Sequence, residues 1–245
     1  MPKTVVIDCF PESARAYHGA WAVVAVDVIR ATTTAVTGVA LGRECFAVPT
    51  IEAAVPLAAR LTDPLLVGEL GGNVPYGFHL QNSPAELARR TDIHRPMILL
   101  STSGTRLILE AEGAEGVYVA CLRNYSAQAA HLAAHHDDVA VIGAGARGEF
   151  REEDQLCCAW IAEALVRAGH VPKDAETLEI IERWTDRGLD AITCGASADY
   201  LRRTDQLQDL EFIMTHVDDL NDVYRSESGC VVRLTGPLSS ARGAR

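Results

Sequence analysis

The segment AWAVVAVDV (20–28) restricts the fold more than any other stretch of this chain, because eight of its nine residues are apolar. Alternate residues of a strand point to opposite faces, so a strand apolar on both faces needs cover on both. Solidly apolar runs recur at 4–9, 45–49, 65–69, 97–101, 116–120 and 139–143. Between them lie segments of helical character at 51–61, 83–90, 104–112 and 126–136. Such alternation predicts a three-layer α/β/α fold around a mostly parallel or mixed sheet. The stretch 151–228 reads as mainly helical, and GCVVRL (229–234) as a last strand. With no repeat and no low-complexity linker, residues 1–245 read as a single domain.

Charge narrows the function. The net charge of −11 over 245 residues gives no basic patch to neutralise phosphates, so a nucleic-acid partner is not expected. No apolar run is long enough to span a bilayer and the first residues enter a strand pattern directly, so neither membrane anchor nor signal peptide is expected. The seven cysteines lack a CxxC pair and fall mostly in apolar segments. They read as reduced, buried thiols of a cytoplasmic protein. Homo-oligomerisation stays open.

In α/β sheets, ligands bind beyond the carboxyl ends of strands. Five strand ends here carry polar or Gly-rich loops: DVIRATTT, GELGGNVPYGFHLQNSP, STSGTR, CLRN and GAGARGEFREED. In the first, Asp27 ends a buried strand, where an idle carboxylate would be costly. Arg30 suits bidentate contact with a phosphate or sulfonate, and the hydroxyls and amides of the following helix start suit the same anion. A capped helix with a structural Asp–Arg pair is the plainer alternative. STSGTR (101–106) offers a second anion cradle, or simply a helix cap. QNSP (81–84) reads first as a cap with Pro84 opening a helix. Glu69, before a long Gly-rich loop, is a candidate metal or water ligand. Glu152, Glu153 and Asp154 fit either helix-start acids or Mg²⁺ ligands.

Three other patterns lead elsewhere. GAGARG (143–148) has the spacing of a dinucleotide-binding loop, but the acids of EFREED follow where a helix should meet pyrophosphate. CFPESAR (9–15) has the spacing of a cysteine phosphatase loop, yet Pro11 lacks an N–H and Glu12 would repel phosphate. His131 and His135 stand one turn apart, as zinc can use, without a third ligand in context.

Taken in order, DVIRATTT, GELGG with GF and NSP, SGT, the RN at 123–124, and AGARGEF with EED resemble the 2-phosphosulfolactate phosphatase family. The resemblance covers about residues 24–160, with a loose echo in CGASADYLRR (194–203). One departure is Ser103, where the family pattern has Asn. The resemblance implies an α/β, Mg²⁺-dependent phosphatase acting on the phosphate ester of a small sulfonated or carboxylated hydroxy acid, in the manner of a coenzyme M biosynthetic step. It implies Asp27 and Arg30 as the catalytic pair. Mg²⁺ would be held by some of Asp27, Glu69, Glu153 and Asp154. Arg30 and Arg123 would clamp the anion, with Thr32, Thr33, Asn82, Ser83, Gly104, Thr105 and Asn124 completing the substrate site. A non-catalytic binder of phosphorylated acids and an NAD(P)-dependent oxidoreductase are the alternatives.

Overall fold

Along strand β2 (Ala22–Val26), Val23 and Ala25 enter one core while Ala22, Val24 and Val26 enter another. Its neighbours behave alike. In β6 (Gly116–Ala120), Val117 and Val119 face the first core and Tyr118 and Ala120 the second; in β7 (Asp138–Gly143), Ala140 and Ile142 face opposite to Val139 and Val141. This two-sided burial is what the solidly apolar segments encode.

The computed structural model describes residues 2–234. The remaining strands are β1 (Thr4–Cys9), β3 (Cys45–Val48), β4 (Leu65–Gly68), β5 (Met97–Leu100), β8 (Val171–Pro172), β9 (Val223–Glu227) and β10 (Cys230–Leu234). All ten join one open, mixed sheet in the order β4-β5-β3-β10-β9-β6-β2-β7-β1-β8. The helices are α1 (Ala31–Ala40), α2 (Ile51–Ala58), α3 (Pro84–Ala88), α4 (Gly104–Glu110), α5 (Tyr125–His135), α6 (Glu152–Arg167), α7 (Ala175–Trp184), α8 (Ala196–Arg203) and α9 (Leu207–Thr215). Helices α1, α3 and α4 feed the first core, and α5, α6 and α7 the second. The α/β/α expectation holds, and the seven early strands fall within two residues of their predicted ends.

Strand β8, strand β9 and the place of the last hairpin were not expected. Strand β9 escapes the sequence because VYRSE mixes apolar with charged residues, as its partly covered position allows. Its hairpin with β10 then inserts mid-sheet, pairing antiparallel with β6 on one side and β3 on the other. Three successive antiparallel pairings reverse direction, so the parallel block β3-β5-β4 runs opposite to the block β6-β2-β7-β1. Helix α1 touches β3, β5, β6 and β10 and so packs against both blocks.

Arg123, expected as an anion clamp, instead ties the segment leading into this hairpin to the body. Its Nε and Nη2 donate to the Asp219 carboxylate at 2.9 and 2.6 Å, and its Nη1 to Thr37 Oγ1 of α1 at 3.0 Å. Backbone bonds from Asp218 N to Leu122 O and from Leu220 N to Arg123 O run alongside. Asn124 is equally structural, accepting from Cys121 N at 3.0 Å and donating to Val119 O at 3.2 Å. Arg123→Met is therefore expected to lower stability by about 1–3 kcal/mol, the scale of lost hydrogen bonds to a charged partner. Urea unfolding reads this directly; a parent-like midpoint would remove the lock.

Candidate active site

Beyond the ends of β2, β4, β5 and β7 lies a cavity of about 240 Å³. Four arginines (30, 147, 151, 203) and three acids (27, 69, 154) line it, together with Asn82, Thr102, Ser103, Ser197, Tyr200 and the Gly71–Gly72 pair. The strand-end rule thus finds four of the five loops singled out, and the fifth, CLRN, serves the hairpin. An acidic chain has gathered a surplus of guanidinium groups at one place.

Asp27 is buried and lines the cavity. Backbone and side chain are both fixed by the start of α1: Thr32 N and Thr32 Oγ1 donate to Asp27 O, and Ala31 N donates to Asp27 Oδ1 at 3.1 Å. The first residue of α4 comes so close that a Cβ on Gly104 would lie 2.2 Å from Asp27 Oδ2. Gly104 therefore belongs to the site by having no side chain. Asp154, in the first turn of α6, receives Val28 N at 2.8 Å and Gly145 N at 3.2 Å. Glu153 beside it is buried with Oε2 lacking a hydrogen-bond partner.

All three carboxylates have raised pKa values. Burial raises the Asp27 pKa to about 7, helped by the nearby charges of Glu69 and Glu153. Asp154 is pushed well above the usual carboxylate range by burial and then by Asp27 and Glu153, and Glu153 is raised chiefly by burial. Such perturbed acids beside a cleft are a mark of functional sites. Their oxygens are hard donors of the kind Mg²⁺ takes, and the unpartnered Oε2 of Glu153 adds a free acceptor. Among the described residues, no three His, Cys, Asp or Glu side chains form a ready-made metal cage. Mg²⁺ commonly binds through one or two carboxylates, waters and substrate phosphate, which this donor set can meet.

Several expected ligands are bound up elsewhere. Glu69 accepts Thr102 N and Gly72 N at 2.7 Å and Thr102 Oγ1 at 2.9 Å, so it organises two loops. Thr32 bonds Asp27 backbone, Thr33 Oγ1 donates to Val28 O at 2.8 Å, and Thr105 exchanges bonds with Ser101. Ser83 Oγ donates to Asp209 Oδ1 at 2.6 Å. Hydroxyls at a strand-to-helix junction meet backbone groups first, which is why these four do not line the cavity. Asn82 does, buried, with Oδ1 unpartnered. Arg30 lines it too, while its Nη1 is held by Asp209 and by Gln206 at 2.6 Å.

The residues missed by sequence reasoning come mainly from the Gly-rich turn after β7 and from α8. Arg147 and Arg203 line the cavity with no carboxylate within 4.0 Å among the described residues. Tyr200 Oη donates to Gly72 O at 2.6 Å, tying α8 to the Gly-rich loop after β4. The surviving signal was the arginines of GARG and DYLRR. The rejected patterns also resolve. GAGARG forms a tight turn, with Ala146 and Glu149 exchanging backbone bonds. The Cys9 thiol is pushed up to about 12 by burial and by Asp154, unlike a thiolate nucleophile. His131 and His135 stack on each other.

A family model described as 2-phosphosulpholactate phosphatase matches residues 9–227. Proteins named "Probable 2-phosphosulfolactate phosphatase" share this sequence broadly. That of Symbiobacterium thermophilum is 34% identical over 76% of this chain and 79% of its own length. That of Thermus thermophilus is 34% identical over 84% and 87%, and that of Caldanaerobacter subterraneus 29% identical over 85% and 89%.

The raised Asp27 pKa has a thermodynamic consequence. Unfolding lets the carboxyl return to 3.8, so between about pH 4 and about pH 7 the folded state binds more protons than the unfolded one. Stability then falls as pH rises through that window, by the linkage relation, and levels off above it. In chelator, Asp27→Asn should flatten this slope and unfold at a higher temperature than the parent at pH 8. Melts across pH 4–8 that leave the slope unchanged would count against a buried, proton-holding Asp27.

Proposed function

We propose that this chain, which belongs to the 2-phosphosulpholactate phosphatase family, hydrolyses 2-phosphosulfolactate or a closely similar phosphorylated hydroxy acid to the free hydroxy acid and phosphate. Membership makes it a phosphoric monoester hydrolase. The observation that carries the substrate class is the cavity's charge. Four arginines converge there, two without an acid partner among the described residues, which suits a small molecule bearing two anionic groups.

Phosphoryl transfer asks chiefly for alignment and for neutralisation of charge on the transferring oxygens. Arg30 supplies a guanidinium whose Nη1 is anchored, leaving Nε and Nη2 to the phosphoryl group. Asn82 Oδ1, without a donor of its own, can orient the attacking water. Arg147 and Arg203, on separate elements, take the sulfonate or carboxylate end. Asp27 and Asp154 line the cavity and, with the buried Glu153, would hold Mg²⁺. When bound, the ion supplies Lewis-acid neutralisation of the phosphate. Cytoplasmic residence and a place in coenzyme M biosynthesis belong to this same reading; no described helix is long and apolar enough to cross a membrane.

The deciding experiment is a phosphate-release screen over phosphosulfolactate, phospholactate, phosphoglycerate and p-nitrophenyl phosphate. We expect release in Mg²⁺, strongest with the doubly anionic esters, and loss in EDTA. Binding of these esters without release would make the protein a metabolite binder instead. Mg²⁺ should also raise the melting temperature more at pH 8 than at pH 5, because protons compete for the same carboxylates. Equal shifts, or none, would take Mg²⁺ out of this site.

Paired substitution of Arg147 and Arg203 by Met should raise KM for phosphosulfolactate by about 10-fold or more, the scale of lost charge-assisted hydrogen bonds. KM for p-nitrophenyl phosphate, which lacks the second anion, should stay within about twofold. Equal losses on both esters would move the second-anion site elsewhere.

A further inference from the structure

We infer that Asp209 is a positioning residue that fixes the Arg30 guanidinium for the phosphoryl group, an inference that rests on the phosphate-binding role given to Arg30 above. Asp209 lies in the first turn of α9, in a stretch where the sequence shows no chemical motif, and is completely buried. Its Oδ2 accepts from Arg30 Nη1, and its Oδ1 accepts from Ser83 Oγ at 2.6 Å and Ala85 N at 3.1 Å. Gln206, just before the same helix, takes Arg30 Nη1 at 2.6 Å.

A buried carboxylate carries a heavy desolvation cost, so its partners indicate its role. Capping α3 does not rest on it alone, since Ser83 Oγ accepts Glu86 N at 3.1 Å. Docking α9 does not require it either. Leu210 of α9 packs with Ala198 and Leu201 of α8, and Ile29, Tyr200 and Met214 close that apolar cluster. The partner that needs a charge is Arg30. A free arginine samples many rotamers, whereas one held at Nη1 by two acceptors presents its other donors in a fixed plane. Both acceptors engage the same nitrogen, and among the described residues Nε and Nη2 have no protein acceptor while Arg30 lines the cavity. Anchoring one arm and freeing the other two is what preorganised anion binding requires. Because Asp209 reaches Arg30 from the helices that also bring Tyr200 and Arg203, it couples that segment to the phosphate end of the cavity.

The test is a double-mutant cycle read by calorimetric titration of inorganic phosphate into Mg²⁺-loaded protein, with a thermal melt of each variant. Asp209→Asn and Arg30→Met should each weaken phosphate about 10- to 100-fold, the range for charge-assisted hydrogen bonds. The double variant should bind no more than about twofold worse than Arg30→Met, because Asp209 acts through Arg30. Parent affinity in folded Asp209→Asn, or full additivity in the double variant, would overturn the inference. Should Asp209→Asn not fold, the comparison of Arg30→Met with the double variant, whose pair is neutral on both sides, still decides it: equal affinities support positioning and a further loss refutes it. Parent affinity in Arg30→Met would remove the reading of Arg30, and this inference with it.

Discussion

Helix α1 has almost no solvent face: all residues from Ala31 to Val39 are buried. A helix enclosed on every side offers its polar side chains only internal partners, and among its threonines Thr34 Oγ1 is buried without one. The hydroxyls of Thr32 and Thr33 turn back to the strand-end carbonyls of Asp27 and Val28, and Thr37 accepts from Arg123. Strands of both oppositely directed blocks touch this helix, and loops from both line the cavity at its N-terminal end. Asp27 and Arg30 are at that point because the chain has just left β2 and entered α1.

The site is an electrostatic compromise. Asp27 and Asp154 line the cavity and Glu153 is buried beside Asp154 in sequence, and burial and repulsion from neighbouring acids raise the pKa of all three. The arginines on the other surfaces are partly neutralised, Arg30 by Asp209 and Arg151 by Glu149, and partly left open, at Arg147 and Arg203. Acids unrelieved by local partners destabilise the folded state above neutral pH, a usual cost of a site built for ligands. The rest of the protein compensates through two extensive apolar cores on either side of the sheet.

Much of this was written in the sequence. Solidly apolar strands required a sheet covered on both faces, and the order of polar loops marked the cavity. Asp27, Arg30, Glu69, Asn82 and Asp154 line it, and Gly104 abuts it. The charged ones were legible because a charge in a loop after an apolar strand is conspicuous against local expectation, and Asn82 and Gly104 because they stand in such polar or Gly-rich loops. Hydroxyl residues were misleading for the opposite reason. Thr32, Thr33, Ser83 and Thr105 look alike as ligands and as caps, and only the nearest partner distinguishes the two.

What the sequence determined alone was most of the elements, β8 and β9 apart, since burial on two faces and helical periodicity are local properties of a few residues each. What the tertiary structure decided was how distant segments pair. The insertion of β9–β10 in mid-sheet depends on contacts between residues about a hundred positions apart, as does the lock of Arg123 on Asp219. The same is true of Asp209, separated from Arg30 by 179 positions, and of Tyr200, which reaches Gly72 across 128. Local pattern carries no information about such pairs, because each member alone is an ordinary polar residue on an ordinary helix or loop. Their function exists only in the geometry that folding imposes on both.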